Sequence, residues 1–239
     1  MSTAKPPQHI QMLHLDRMAL MARYPDKYFN IAFVDPEYGI GEDGKSNHSR
    51  GSLATATKFT PKQWDREPPP QAYFDELQRV SKHQIIWGGN YFSDKLPPSA
   101  GWVIWDKVNG LSDQADCELA WTSFDMGIRI FRFMWAGMRQ GKSIREGHVM
   151  QGNKKLNEKR RHPTQKPRAL YKWMYERFCK PNFKVLDTGF GSGNSAIEAF
   201  FFLNPELGGE YVGCDIDEEY FNNAVAEFES ATQPLPLLV

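Results

Sequence analysis

Charge of one sign is what this chain most clearly lacks: 29 Lys and Arg offset 29 Asp and Glu over 239 residues, leaving a formal net charge of zero. That balance excludes a globally basic coat for nucleic acid and leaves a local basic patch as the only route to phosphate. Cysteine is scarce as well. Cys117, Cys179 and Cys214 are odd in number, widely separated and without CxxC spacing, so a disulfide framework and a cysteine-ligated zinc are excluded and reduced thiols in a cytosolic protein are expected. No apolar run is long enough to cross a bilayer, and Met1 to Gln11 lacks the apolar core of a signal peptide, which predicts a soluble, intracellular chain with no membrane partner. His9, His14, His48, His83 and His148 show no metal-ligand spacing, and no Ser/His/Asp or Cys/His arrangement stands out. Neither a bound metal nor a covalent intermediate is expected. Internal repeats are missing too, and the length fits one large α/β domain over residues 1–239.

What is present is an alternation of strand and helix patterns. The apolar run Asn30 to Val34 follows a helical stretch, Asp16 to Arg23, and the break Tyr24-Pro25-Asp26. Ala72 to His83 reads as a helix, Gln84 to Trp87 as a strand, and Trp102 to Trp105, Glu118 to Phe124 and Ile128 to Trp135 as further strands. Helix Ala169 to Cys179, strand Lys184 to Leu186, helix Asn194 to Leu203, strand Glu210 to Cys214 and helix Glu218 to Phe228 complete the series. Such alternation predicts a mostly parallel sheet with helices on both faces. Two polar stretches interrupt it: residues 39–60, read as a mobile loop, and residues 136–161, glycine-punctuated and rich in Lys and Arg.

Two strand-ending phrases carry the chemistry. After the strand Lys184 to Leu186 comes Asp187-Thr188-Gly189-Phe190-Gly191-Ser192-Gly193-Asn194, whose glycines let the backbone turn sharply and approach a ligand at the start of a helix. The spacing is GxGxG, not the GxGxxG of dinucleotide enzymes, so on its own it is also an ordinary strand-to-helix turn. Asp215, about 20 residues further on at the end of the next strand and followed by Ile216, is placed to accept from ribose hydroxyls, or to N-cap a helix, a role Asp217 equally suits. The other phrase is Asp35-Pro36-Glu37-Tyr38. The Asp35 carboxylate and the Pro36 carbonyl offer two acceptors for an amine such as the exocyclic amine of adenine or cytosine, and Tyr38 offers a flat face on which a base stacks for about 1–3 kcal/mol. In a parallel sheet, ligands bind beyond the carboxyl ends of the strands where strand order reverses, so these two loops on neighbouring strands would face one crevice.

The order of an acceptor phrase, a basic stretch, the string His162-Pro163-Thr164-Gln165-Lys166-Pro167 and a glycine cradle resembles the β-class amino-methyltransferases of DNA, whose phrases are DPPY, HPTQKP and a GSG loop. The six-residue string matches completely. Ile85 to Phe92, Trp102 to Lys107, Glu118 to Phe124 and Gly213 to Tyr220 extend the resemblance to phage and prophage adenine methyltransferases, over nearly the whole chain. The resemblance implies the class I S-adenosylmethionine-dependent methyltransferase fold, Rossmann-like, with the catalytic half written before the cofactor half. It implies S-adenosylmethionine as cofactor and S-adenosylhomocysteine as product. Asp187, Gly189, Phe190, Gly191, Gly193, Asn194, Asp215 and Ile216 would hold the cofactor, joined by His162, Thr164 and Lys166, the last two near its methionine end. It further implies double-stranded DNA as partner, a bacterial or phage-infected cytoplasm and, as often in this class, a homodimer.

Glu37 departs from the family phrase, where proline is usual, and puts an extra carboxylate beside the expected target pocket. Residues 136–161 stand where the family carries its target-recognition segment, and Lys142, Arg145, Lys154, Lys155, Lys159, Arg160 and Arg161, with Arg168, are the candidates there for DNA phosphate; a solvated charged face is the alternative. Lys45 and Arg50 in the 39–60 loop join that set. Three functions follow: a site-specific adenine N6 DNA methyltransferase acting after base flipping, its cytosine N4 counterpart, and a DNA-binding or decoy protein impaired by Glu37.

Overall fold

The computed structural model describes residues 7–41, 65–110, 115–136, 139–162 and 164–233. In chain order its elements are β1 (Ile10–His14), α1 (Arg17–Met21), β2 (Phe29–Val34), α2 (Gln71–Val80), β3 (Ser81–Trp87), β4 (Trp102–Asp106), β5 (Cys117–Thr122), β6 (Arg129–Arg132), β7 (Trp135–Ala136), β8 (Arg139–Gln140), α3 (Arg168–Phe178), β9 (Lys184–Asp187), α4 (Asn194–Phe202), β10 (Glu210–Asp215) and α5 (Glu218–Thr232). Short 3-10 turns occur at Gly89–Tyr91, Lys154–Leu156 and Pro205–Leu207.

An eight-stranded sheet runs in the order β1-β10-β9-β2-β3-β5-β4-β6. Its first five strands are parallel, β5 is antiparallel to both β3 and β4, and β4 and β6 are parallel again. Strand β2 shows why both faces are covered. Ile31 and Phe33 pack with Leu170, Met174, Tyr175 and Ala196 on one side, while Ala32 and Val34 pack with Leu20, Phe74 and Leu77 on the other. Side chains alternate along a strand, so an unbroken apolar run is what a strand buried on both faces requires. Helix α2 offers Tyr73, Phe74, Leu77 and Val80 at helical spacing to that second face.

Strand order reverses between β9 and β2. They pair in parallel, Ile31 opposite Val185 and Ala32 opposite Leu186, although some 150 residues separate them in sequence. The loop after Val34 and the loop after Asp187 therefore leave the same edge of the sheet side by side.

Four sequence boundaries shift. Strand β1 lies partly in the segment read as a polar start; its buried Ile10 and Met12 pack beside β10, and only these alternate positions are buried. Helix α2 stops at Val80, and Ser81–His83, expected as its last turn, belongs to β3; the Ser81 backbone is extended and its hydroxyl donates back to the Leu77 carbonyl. Strand β5 starts at Cys117 and ends at Thr122, short of the expected Phe124. The run Ile128 to Trp135 divides into β6 and β7, because Phe133 N–H donates to the Asp106 carbonyl and Met134 N–H to the Gly147 carbonyl. Of the loop expected over 39–60, only Gly39 to Gly41 fall among the described residues, and Gly39 and Gly41 N–H both donate to Asp65. Lys45 and Arg50 lie outside them.

Candidate active site

Beyond the carboxyl ends of β2, β9 and β10 lies a cavity of about 430 Å³, in the range of small-molecule sites. Asp35 and Glu37 line it from the β2 side, Gly189, Phe190, Gly191 and Ser192 from the β9 side, and Asp215, Ile216 and Asp217 from the β10 side. His162, Thr164, Gln165 and Lys166 close a further wall. Four phrases distant in sequence thus meet around one space.

The glycine wall is made of backbone. Gly191 sits at φ +51° and Gly193 at φ +77°, conformations glycine adopts without cost. A Cβ on Gly193 would meet Ala224 of α5 at 3.1 Å, so this glycine serves close helix packing, whereas a Cβ on Gly189 would meet nothing within 4 Å and would project into open space. Asp215 accepts from Gly191 N–H at 3.0 Å and from Asp217 N–H at 2.9 Å, and burial raises its carboxyl to about 6. The helix-capping alternative falls to Asp217, which accepts from Tyr220 N–H at 3.0 Å and N-caps α5. Asp187 is 2% exposed; it accepts from Gly189 N–H and from the Tyr211 hydroxyl, and burial raises it to about 7. Ile216, 69% exposed, stands at the rim.

Across the cavity the wall is made of charge. Asp35 Oδ2 lies 2.5 Å from the Lys166 ammonium, and Asp35 Oδ1 accepts from the Tyr38 hydroxyl at 2.7 Å. Lys166, only 2% exposed, is also 3.1 Å from Glu118 Oε2, and the other Glu118 oxygen is 2.6 Å from Lys107. The Tyr38 and Trp87 rings flank the Lys166 ammonium at 5.7 and 5.4 Å from their centroids. Burial and the neighbouring Asp35 push the Tyr38 phenol well above its ordinary value, so it stays a neutral donor. Burial raises the Asp35 carboxyl while Lys166 opposes that rise; Glu118 is pulled down to about 2 by Lys166 and Lys107 against the cost of its own burial. Each Asp35 oxygen keeps a second lone pair for a further donor.

The Tyr38 ring lies flat on Gly88, at φ +72°, where any Cβ would collide with it. Tyr91, 42% exposed, stacks on Tyr38 with centroids 5.0 Å apart. Trp87 and Trp105 are core residues, 1% exposed each. Glu37 turns to Arg17, Oε2 to Nη1 at 2.6 Å, and that guanidinium lies 4.5 Å over the Tyr73 ring. The extra carboxylate is therefore neutralised.

The HPTQKP string folds against the glycines. The His162 ring would touch a Cβ on Gly191 at 3.6 Å and packs edge-on to Tyr220. Asn194, grouped by resemblance with the cofactor ligands, is 3% exposed and does not line the cavity; its amide donates to the Lys166 carbonyl and to Glu158. Glu158 also accepts from Gln165 and from Arg168 N–H. This clasp fastens the string to α4 and explains why Asn194 is buried.

Among the basic candidates, Lys142, Arg145, Lys154, Lys155 and Lys159 are exposed. Lys142 pairs with Glu146, four residues on. Arg160, by contrast, lies over the Trp135 ring at 4.7 Å and donates to the Trp135 carbonyl; Arg161 pairs with Glu227 of α5 at 2.5 Å, and Arg168 with Glu198. These three brace the fold. Arg17, Lys107, Glu118 and Glu158 escaped the sequence reading. None of the four had a local sign: Glu118 pairs with Trp105 only across strands, and Lys107 meets Glu118 only in the fold. Among the described residues no group of three or more His, Cys, Asp or Glu is arranged for a metal, and no helix is long and apolar enough to cross a membrane.

Comparison with known proteins gives concordant results. A family model described as DNA methylase, of the N6/N4 type, matches residues 87–226. The type II methyltransferase M.HinfI of Haemophilus influenzae is 23% identical over 237 residues, 84% of this chain and 63% of that protein. The chain spans less than two thirds of the curated relatives it matches. Among solved structures, the M1.HpyAVI–SAM complex superimposes with a TM-score of 0.50 at 18% identity, over 91% of this chain and 98% of that one. PvuII DNA methyltransferase, cytosine-N4-specific, gives 0.52 at 11% identity, over 91% and 85%. The likeness is one of fold: the class I S-adenosylmethionine-dependent methyltransferase fold.

Proposed function

The chain belongs to the N6/N4 DNA methylase family, and from that premise we propose that it transfers a methyl group from S-adenosylmethionine to the exocyclic N6 of adenine in duplex DNA. The observation that carries this reading is the meeting of Asp35 with the Gly189 to Ser192 cradle across one cavity. The residues present fit the cofactor. Gly189 leaves open the space a side chain would fill, and Asp215 lines the cavity from the end of β10. Asp215 would take the ribose hydroxyls, Thr164 and Lys166 the amino-acid end, and Ile216 the rim beside the base. When bound, S-adenosylmethionine supplies a methyl group on a sulfonium whose leaving group departs neutral, so no general acid is called for.

The chain's own task is positioning and acceptance of charge. Asp35 accepts a hydrogen bond from the target amine, draws the nitrogen lone pair out of conjugation, stabilises the positive charge that develops there, and takes the proton that the methylated nitrogen releases, directly or through water. The Pro36 carbonyl would accept the second hydrogen of that amine, and Tyr38, packed against Gly88 and Tyr91, holds the Asp35 carboxylate through its hydroxyl. A base inside a duplex is out of reach, so it must be flipped out at a cost of roughly a few kcal/mol. Exposed Lys142, Arg145, Lys154 and Lys155 suit phosphate contact, which positions the duplex without reading sequence. A type II modification role, a homodimer and a bacterial or phage-infected cytoplasm go with this reading.

A second reading, cytosine N4, has the same geometric support, since either exocyclic amine suits Asp35; the PvuII enzyme of like fold is cytosine-N4-specific. The strings shared with adenine methyltransferases favour adenine. Impairment by Glu37 loses its footing because Arg17 holds that carboxylate. Incubating unmethylated DNA with the protein and labelled S-adenosylmethionine, then digesting to nucleosides for mass spectrometry, decides the matter. N6-methyl-2′-deoxyadenosine is expected; N4-methyl-2′-deoxycytidine would replace the reading with its counterpart, and no label in either would defeat it.

A further inference from the structure

The charged wall holds one more carboxylate than methyl transfer calls for. Glu118 is the second residue of β5, the antiparallel strand, and lies opposite Trp105 in register. Because β5 runs against its neighbours, its first residues arrive at the edge of the sheet where the parallel strands end. Glu118 is thereby delivered to the site from a strand that carries no site loop.

We propose that Glu118 is a positioning residue for Asp35: by sharing the Lys166 ammonium it prevents that ammonium from pairing with Asp35 alone, and so keeps Asp35 a strong acceptor. The inference rests on the reading of Asp35 as the amine acceptor. Lys166 lies 2.5 Å from Asp35 and 3.1 Å from Glu118, donates to the Tyr38 hydroxyl at 3.2 Å, and shows only 2% of its side chain at the cavity wall. In such a place its positive charge is divided between the two carboxylates instead of being screened by water. Lys107, 2.6 Å from Glu118, balances the second carboxylate, so the row Asp35, Lys166, Glu118, Lys107 is neutral. Were Glu118 present only to neutralise Lys107, it would have no cause to approach Lys166. The other titratable groups facing Asp35 are the Tyr38 hydroxyl, which donates to it, and, acting through space, Tyr171 and Asp187.

Removing the Glu118 charge leaves Lys166 wholly to Asp35 and makes that carboxylate a weaker base. Removing Lys107 does the opposite, since Glu118 then presents an uncompensated negative charge and draws more of Lys166. The two variants carry opposite signs, which loss of packing alone would not produce.

The test is the titration of the Asp35 carboxyl by 13C NMR in the full chain without DNA, its signal assigned by its absence in Asp35→Asn. In Glu118→Gln the midpoint falls by about one pH unit, and in Lys107→Met it rises. Glu118→Asp stays near the unaltered protein. In methyl transfer, Glu118→Gln moves the acid limb of the pH profile down by the same amount and lowers kcat about tenfold, with KM for DNA unchanged. Should Glu118→Gln fail to fold, the rise in Lys107→Met decides. A midpoint that stays put in both variants, or moves the same way in both, overturns the inference. If the unaltered protein transfers no methyl group, the functional reading fails while the titration still judges Glu118; if it transfers and the midpoints do not move, the inference fails alone.

Discussion

The two walls of the cavity are built from different material. On the β9 and β10 side, backbone N–H groups and glycines do the shaping, and Asp215 is satisfied by Gly191 and Asp217 of its own neighbourhood. On the β2 side, four charged side chains from four separate segments hold one another, with Lys166 at their centre. A backbone wall is vulnerable to added atoms. A charged wall is vulnerable to a lost one.

The largest expected effect breaks the charged wall. Lys166→Met leaves Asp35 and Glu118 without their shared cation and costs about 3–5 kcal/mol, the usual penalty for stranding a buried charge. Urea unfolding measures it, and a loss below about 1 kcal/mol would mean the wall is not held as described. Next comes the backbone wall. Gly189→Val needs no unusual φ and meets no neighbour, so the fold stays intact, yet the side chain fills the cofactor space and weakens S-adenosylmethionine about 10- to 100-fold by calorimetry. Unchanged affinity would move the cofactor away from the cradle.

A smaller effect is set by pH. Burial holds the folded-state pKa of Asp215 at about 6, above its ordinary value near 3.8. A raised carboxyl binds protons more readily folded than unfolded, so its burial cost is full above about pH 6 and is relieved as pH falls from there towards 4. Stability of the free protein gains from this group on acidification, while cofactor affinity falls because the protonated acid accepts poorly from ribose. Affinity measured from pH 8 to pH 5 therefore drops through about 6. Asp215→Asn removes that drop; an unchanged slope would exclude Asp215. The smallest effect belongs to Glu37→Gln. Its partnership with Arg17 is about a quarter exposed, worth roughly 1 kcal/mol, and methyl transfer changes less than about threefold. A large gain in rate would revive the impaired reading.

The same contrast governs what could be read in advance. The cradle was legible because its requirements are local: a strand, glycines, a helix start and an acid at the end of the next strand lie within about 30 residues, and hydrophobic periodicity marks each element. So was the meeting of the two loops, since strand-ending loops gather where order reverses in a parallel sheet. What stayed hidden is tertiary. Glu118 reads as one more strand residue until the antiparallel run of β5 brings it to the site edge. Asn194 follows the cradle in sequence and resembles a ligand, yet Glu158 and the Lys166 carbonyl claim it. Arg160 and Arg161 sit in a basic stretch and look like phosphate ligands, but Trp135 and Glu227 hold them. Strand β1 was missed because an edge strand of five residues with two buried apolar side chains leaves little pattern.

The Asp35 wall handles the target amine while the glycine wall handles the donor. Asp35→Ala measured for both functions tests this most directly. Labelled methyl transfer to DNA should fall at least 10²–10³-fold, while S-adenosylmethionine binds within about threefold of the unaltered protein. Transfer that survives the substitution, or cofactor affinity that collapses with it, would contradict the division of labour between the two walls.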